Sequence, residues 1–336
     1  MEPWLIVVIA VVCASVLAVF AAGLSLAIVV DKFMFGRRQD KNAMYRYFAA
    51  EDFGLQGEDF PVYYDGYELS GKLFFDGSLE EKGTLVIFIH GFGAGSASYM
   101  TEIASFVRRG YAVLAYDAYG CNNSGGRGIK GFYCGAECAV AACIEARRDK
   151  RLSAKKLVLV GHSWGAYSAL CASGQIEVDG VVAISAFNSP VRAATDVLKL
   201  VSGRRAGLLA VLVLPWFALT NLLKFGIRGN TKASNAVNRS KVKAFLIHGE
   251  RDATVPYPSS AAYALRGSNA KVLVLPEKGH NPYNTVRAES VLSALFTAHF
   301  ADEKAMKRFY ADFDWRAATE EDDAVMDEIF SFIDKL

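Results

Sequence analysis

The chain has 336 residues, of which 52% are apolar and 21% charged, and its formal net charge is +2. That balance supplies a sizeable core and excludes general disorder, and so small a charge gives no reason to expect nucleic acid as a partner. The six cysteines (Cys13, Cys121, Cys134, Cys138, Cys143 and Cys171) follow no paired-ligand spacing with nearby histidines, so neither a metal nor a cofactor is expected and reduced, small apolar thiols are.

From Leu5 to Val30 no residue is charged. About 20 apolar residues suffice to cross the hydrocarbon core as a helix. The start, Met1-Glu2-Pro3-Trp4, has no Lys or Arg, whereas a cleavable signal opens on basic residues and has a shorter apolar centre. Trp4 suits an interfacial anchor. Residues 1–31 are therefore expected to form one retained transmembrane helix, a single pass. Lys32, Arg37, Arg38 and Lys41 all follow it, so the excess of positive charge places the remainder of the chain in the cytoplasm.

Residues 32–58 read as a juxtamembrane connector, and 59–336 as one domain. Val62–Tyr64 and Tyr67–Phe75 form an antiparallel pair around the turn Asp65-Gly66. Apolar runs follow at Thr84–Ile89, Tyr111–Tyr116, Lys156–Val160, Val181–Ser185, Val242–Ile247 and Lys271–Leu275, apolar on both faces as buried parallel strands are. Helical stretches (Ser96–Arg109, Cys134–Asp149, Ser163–Ser173, Pro256–Leu265 and Tyr283–His299) separate most of them. This alternation predicts a doubly wound, mostly parallel α/β sheet. Residues 187–240 interrupt it with an apolar run, Leu208–Leu219, expected to form a helical cap over the site. A second membrane span is disfavoured, because Pro215 interrupts the run, Arg204, Arg205 and Lys224 flank it, and the chain would have to leave and re-enter one sheet. Beyond Ala301 the chain is amphipathic and ends in a helix, Ala324–Leu336, expected to pack on the sheet.

Gly161-His162-Ser163-Trp164-Gly165 fits the pattern G-x-S-x-G, in which Ser163 occupies a tight strand-to-helix turn that small residues on either side make possible. A serine hydroxyl becomes a useful nucleophile only when a base takes its proton. Of the five histidines, His90 and His162 sit in glycine turns, His248 ends a strand and His299 closes a helix, while His280 lies on a loop after the last predicted strand.

His90-Gly91-Phe92-Gly93, Asp117-Ala118-Tyr119-Gly120, the Ser163 pentapeptide, His248-Gly249-Glu250-Arg251-Asp252 and Gly279-His280 together resemble the α/β-hydrolase superfamily over residues 60–300, most of all its serine aminopeptidase-like, lysophospholipase-like and Bem46-like branch. The resemblance implies Ser163 as nucleophile, His280 as general base and Asp252 as the orienting acid, with Glu250 as the fallback. It also implies an oxyanion hole from the backbone N–H groups of Phe92 and Trp164, whose side chains would line the substrate site. Asp117 is not assigned to catalysis. Trp164 stands where smaller residues are common, and the loop Cys121–Arg127 departs from the family's shorter form. The implied function is hydrolysis of a carboxylic ester, lipid-like given the anchor and the apolar cap. The alternatives are a peptidase, amidase or thioesterase with the same residues, or an inactive membrane-bound binding or scaffold protein.

Overall fold

The computed structural model describes residues 2–202 and 206–336; Arg204 and Arg205, expected to flank the apolar run, lie outside the described residues. Helix α1 (Pro3–Phe35) comes first. Among the described residues it is the one helix long and apolar enough to cross a membrane. Its 33 residues rise about 50 Å.

After a three-residue strand β1 (Gly57–Asp59), strands β2 (Val62–Tyr64) and β3 (Tyr67–Leu69) pair as a hairpin. Asp65 and Gly66 both take positive φ, 52° and 78°, as the tight turn between twisted strands requires. The expected strand to Phe75 breaks after Leu69: β4 (Gly71–Phe74) leaves the hairpin and pairs with the main sheet.

The α/β alternation then runs β5 (Thr84–Ile89), α2 (Met100–Arg108), β6 (Ala112–Tyr116), α3 (Cys134–Arg148), β7 (Lys156–His162), α4 (Trp164–Ala172) and β8 (Gly180–Ile184). Three helices, α5 (Pro190–Ser202), α6 (Ala206–Phe225) and α7 (Ala233–Ser240), intervene before β9 (Lys243–Gly249). The chain closes with α8 (Ala261–Leu265), β10 (Lys271–Leu275), α9 (Val286–Thr297), α10 (Glu303–Asp312) and α11 (Asp323–Asp334). The eight-stranded sheet has the order β1-β4-β6-β5-β7-β8-β9-β10, antiparallel at β1 and β4 and parallel across the rest.

The strands are apolar on both faces because both faces are covered. Ile87 and Leu159 meet Tyr167 and Leu170 of α4 and the alanines of α3 on one side; Val86 and Val160 meet Ile103 and Phe106 of α2 and Ile329 of α11 on the other. The register pairs Ile89 with Gly161, His162 with Ile184, and Ile184 with Ile247. The loops leaving β5, β7 and β9 therefore emerge at one edge. The chain reverses its winding between β6-β5 and β7, which opens a crevice at those carboxyl ends.

Behind that edge two carboxyls are buried together. Glu102 of α2 and Glu321 each hold an oxygen without a hydrogen-bond partner, and burial, reinforced for Glu102 by the charge of Glu321, raises both above the usual carboxyl range. A raised folded-state value means stability that is complete below the ordinary carboxyl range and lost as pH climbs through the raised values. The resistance of the wild type to denaturant is thus expected to fall as pH rises from the ordinary carboxyl range to about 8 and to level off above it, and Glu102→Gln, uncharged at every pH, to flatten that slope.

Candidate active site

The turn at Ser163 is strained. Its backbone angles, φ 56° and ψ −115°, lie outside the regions a serine ordinarily adopts. The Ser163 N–H donates to Ile184 O at 2.7 Å, and Ser163 O accepts from Tyr167 N–H to start α4. Such a turn needs bare backbone around it: a Cβ at Gly161 would collide with the backbone of Gly165, and one at Gly165 with the carbonyl of Ile89 on β5. The two glycines thus press the elbow against the end of β5, next to the loop His90–Gly93.

On that loop Phe92 is 38% exposed and its ring lies 5.8 Å from Trp164. Trp164 itself is buried at 1% exposure, with its indole N–H bonded to Phe132 O, so its side chain forms the floor beneath Phe92 while Phe92 offers the open surface. Among the described residues, neither the Phe92 nor the Trp164 backbone N–H has a protein acceptor. Unpaired N–H donors of this kind are able to receive a developing oxyanion.

His280 and Asp252 meet at 2.7 Å between Nδ1 and Oδ2. The Asp252 carboxylate is fully buried; its other oxygen accepts from Thr254 and Val255 N–H at 2.9 and 2.8 Å. Burial pushes its carboxyl up, but the hydrogen bond and charge of His280, with the Val255 N–H, outweigh that and hold it below the usual range. A carboxylate there makes Nδ1 the protonated nitrogen and leaves Nε2 of His280 bare. Glu250, by contrast, is exposed. His248 stays neutral because burial lowers its value, and its Nε2 serves Val255 O. No hydrogen bond joins Ser163 Oγ to His280 in this arrangement, among the described residues. A cavity of about 340 Å³ reaches His280 and Gly93, walled by Tyr47, Tyr99, Tyr283 and Leu295.

The His280 loop is gripped by two residues that local sequence pattern did not single out for this. Glu289, in the first turn of α9, accepts from Gly279 N–H at 2.8 Å and from Asn281 N–H at 3.0 Å, on either side of His280. His162, the residue before Ser163, lies 2.8 Å from His280 O through Nε2 and 2.9 Å from the Tyr99 hydroxyl through Nδ1. A carbonyl can only accept, so Nε2 carries the proton and Tyr99 donates to Nδ1; Tyr99 in turn accepts from Gly91 N–H. Burial, then the charge of His280, lowers His162 to about 3, so it is neutral at working pH. A single buried relay thus ties the loop of Gly91 to the loop of His280. Asp117 does similar work nearby, accepting from Ser96 N–H and Oγ.

A family model described as the alpha/beta hydrolase family matches residues 86–294. Among solved structures, the Pyrococcus furiosus esterase Pf2001 is 20% identical, with a TM-score of 0.55 over 81% of this chain and 98% of its own. Est1E from Butyrivibrio proteoclasticus, solved with ferulic acid bound, is 20% identical with a TM-score of 0.51, covering 66% of this chain and 90% of its own. An acylaminoacyl peptidase in complex with a chloromethyl ketone is 16% identical with a TM-score of 0.51, over 75% of this chain and 44% of its own. At such identities the likeness carries the fold alone. No curated protein matches the chain.

Removing the Glu289 carboxylate frees two N–H groups beside His280, each charge-assisted bond being worth roughly 1.5–3 kcal/mol. Glu289→Ala is expected to speed amide hydrogen exchange across 279–281 by about tenfold or more, with exchange in α4 unchanged.

Proposed function

The chain belongs to the alpha/beta hydrolase family, and from that premise we propose that it is a membrane-anchored serine hydrolase that cleaves a carboxylic ester through Ser163, His280 and Asp252. The observation that carries the proposal is the strained Ser163 elbow, followed by the unpaired Trp164 N–H, at the sheet edge where the Phe92 loop and the His280–Asp252 pair also lie. In this scheme Ser163 Oγ attacks the carbonyl carbon and passes its proton to Nε2 of His280. The imidazolium is stabilised by the Asp252 carboxylate, which itself stays ionised. The N–H groups of Phe92 and Trp164 receive the oxyanion. Collapse expels the alcohol, which takes the proton from His280, and leaves Ser163 acylated. Water, deprotonated by the same Nε2, then releases the acid.

Ester is preferred to amide on the composition of residues 187–240, where Asp196 is the only carboxylate and so little is available to hold a substrate amine. The apolar character of α1 and α6 favours a lipid-like acyl group. The length of α1 supports anchoring, and the basic residues that follow it support a catalytic domain on the cytoplasmic side.

An acyl-length series of esters, with matched amides and thioesters, tests this. Wild type is expected to turn over esters fastest, and Ser163→Ala to lose about 10³-fold or more in kcat. An unchanged rate in Ser163→Ala, or no fluorophosphonate labelling of folded wild type, would sink the proposal and favour a binding role. Asp252→Asn keeps the shape but removes the charge, and is expected to cost up to about 10⁴-fold in kcat.

A further inference from the structure

Helix α6 packs along the half of α1 nearest the catalytic domain. The Trp216 ring meets Phe20 edge-on at 4.3 Å and covers Gly23, where any side chain would collide with the indole. Further along, Lys224 pairs with Asp31, whose side chain is only 12% exposed. Phe217 is fully buried and stacks near Phe35 at 6.4 Å.

The position of these contacts along α1 decides their depth. The uncharged stretch Leu5–Val30 holds 26 residues, and about 20 are needed to cross the hydrocarbon. Slide a window of that length along the stretch, and residues 11–24 stay inside it in every placement. Phe20 and Gly23 are therefore within the apolar layer wherever α1 crosses, and Trp216 rests on both. Gly23 lies about 12 Å below Asp31 along the helix axis.

From this register we propose that the cap is seated in the membrane: α6 enters the leaflet on the catalytic side beside α1, and the turn Gly226–Asn230 lies at its headgroup boundary. The surface around the Asp31–Lys224 pair fits such a seat. Phe33, Leu223 and Ile227 are 86%, 74% and 88% exposed to water, and Leu222 is exposed beside them. Burying a side chain of this size gains about 1.5–3 kcal/mol. Lys32 and Arg37 are exposed on the same stretch, where anionic headgroups would meet them. Pairing Asp31 with Lys224 neutralises both charges at this boundary.

The seat is continuous with the active site. Phe35, the last residue of α1, is buried, 6.1 Å from Phe92 and 5.0 Å from Phe132 between ring centres. Arg38 then caps the carbonyls of Asn122, Ser124 and Gly126 in the neighbouring loop. The bilayer-facing helices and the loop that carries Phe92 thus form one packed body. On the hydrolase proposal, which this step rests on for its chemistry, the substrate is an ester whose acyl chain comes from the leaflet.

The test uses the full chain in nanodiscs of phosphatidylcholine and phosphatidylserine. Nitroxides are placed at Leu223→Cys and Ile227→Cys in a Cys13→Ser background, the other cysteines being buried. Val16→Cys serves as the hydrocarbon reference and exposed Lys150→Cys as the water reference. Labels at 223 and 227 are expected to read between the two references, relaxed more by oxygen than the label at 150 and less than the label at 16, as a place at the headgroup boundary requires. If they behave as at 150 while 16 reads lipid, the seating is overturned and the anchor stands; if 16 also reads water, both fall. Fluorophosphonate labelling of Ser163 on the same discs reports the hydrolase separately. With labelling present, the Leu223→Asp/Ile227→Asp double variant is expected to lose about tenfold or more on a long-chain ester in vesicles, while a short soluble ester changes by less than about twofold. Equal loss on both, or on neither, would overturn delivery from the leaflet.

Discussion

A serine forced to a positive φ between two glycines organises the centre of this molecule. The strain at Ser163 is tolerated only because β7 and α4 are both locked, β7 by pairing with β5 and β8, and α4 by burial of every residue from Trp164 to Ala172. Gly165 brings α4 onto the carbonyl of Ile89, so the turn that presents Ser163 also sets its distance from the loop carrying Phe92. Whatever distorts that packing moves the hydroxyl and the two unpaired N–H groups together.

The remaining groups are held from behind. His280 lies on a loop, which by itself would wander, yet its flanking amides are bound to Glu289, its carbonyl to His162 and its ring to Asp252. Each of these partners belongs to a different element, respectively α9, β7 and the loop after β9. Tyr99 extends the chain of bonds to Gly91. Neutral His162 suits this place, because a charged ring would need a second acceptor where Tyr99 must also serve the Gly91 N–H. Preorganisation of this sort aligns reacting groups before a substrate arrives.

The helix that meets the membrane in our proposal is not an appendage tied on by a loose tether. Its last turn contributes Phe35 to the main core, its Asp31 is paired to α6, and Arg38 and Gln39 bond into the loop around Asn122. On that proposal, depth in the bilayer, the position of α6 and the shape of the Phe92 loop are coupled through packed side chains, and the substrate would be met at the membrane surface.

Much of this was legible in order along the chain. Continuous apolar runs marked the buried strands because both faces of a parallel sheet are covered, the pattern around Ser163 marked the elbow because so few residues tolerate it, and the uncharged Leu5–Val30 stretch marked what is, among the described residues, the one helix long and apolar enough to span a membrane. Strand β1 was silent, three residues with one paired neighbour and no apolar signature, and so was the break at Ser70 that sends β4 to another sheet. His162 and Glu289 were visible as residues but not as clamps, since their partners lie 118 and up to 10 positions away and no local periodicity records a bond to a backbone group. The sequence by itself determined the fold class, the strained serine turn and the apolar leader, all consequences of short-range sterics and burial. Tertiary structure alone decided which nitrogen of His280 is free, what holds its loop, and that α6 lies against α1, because each depends on the distance between groups that only packing brings together.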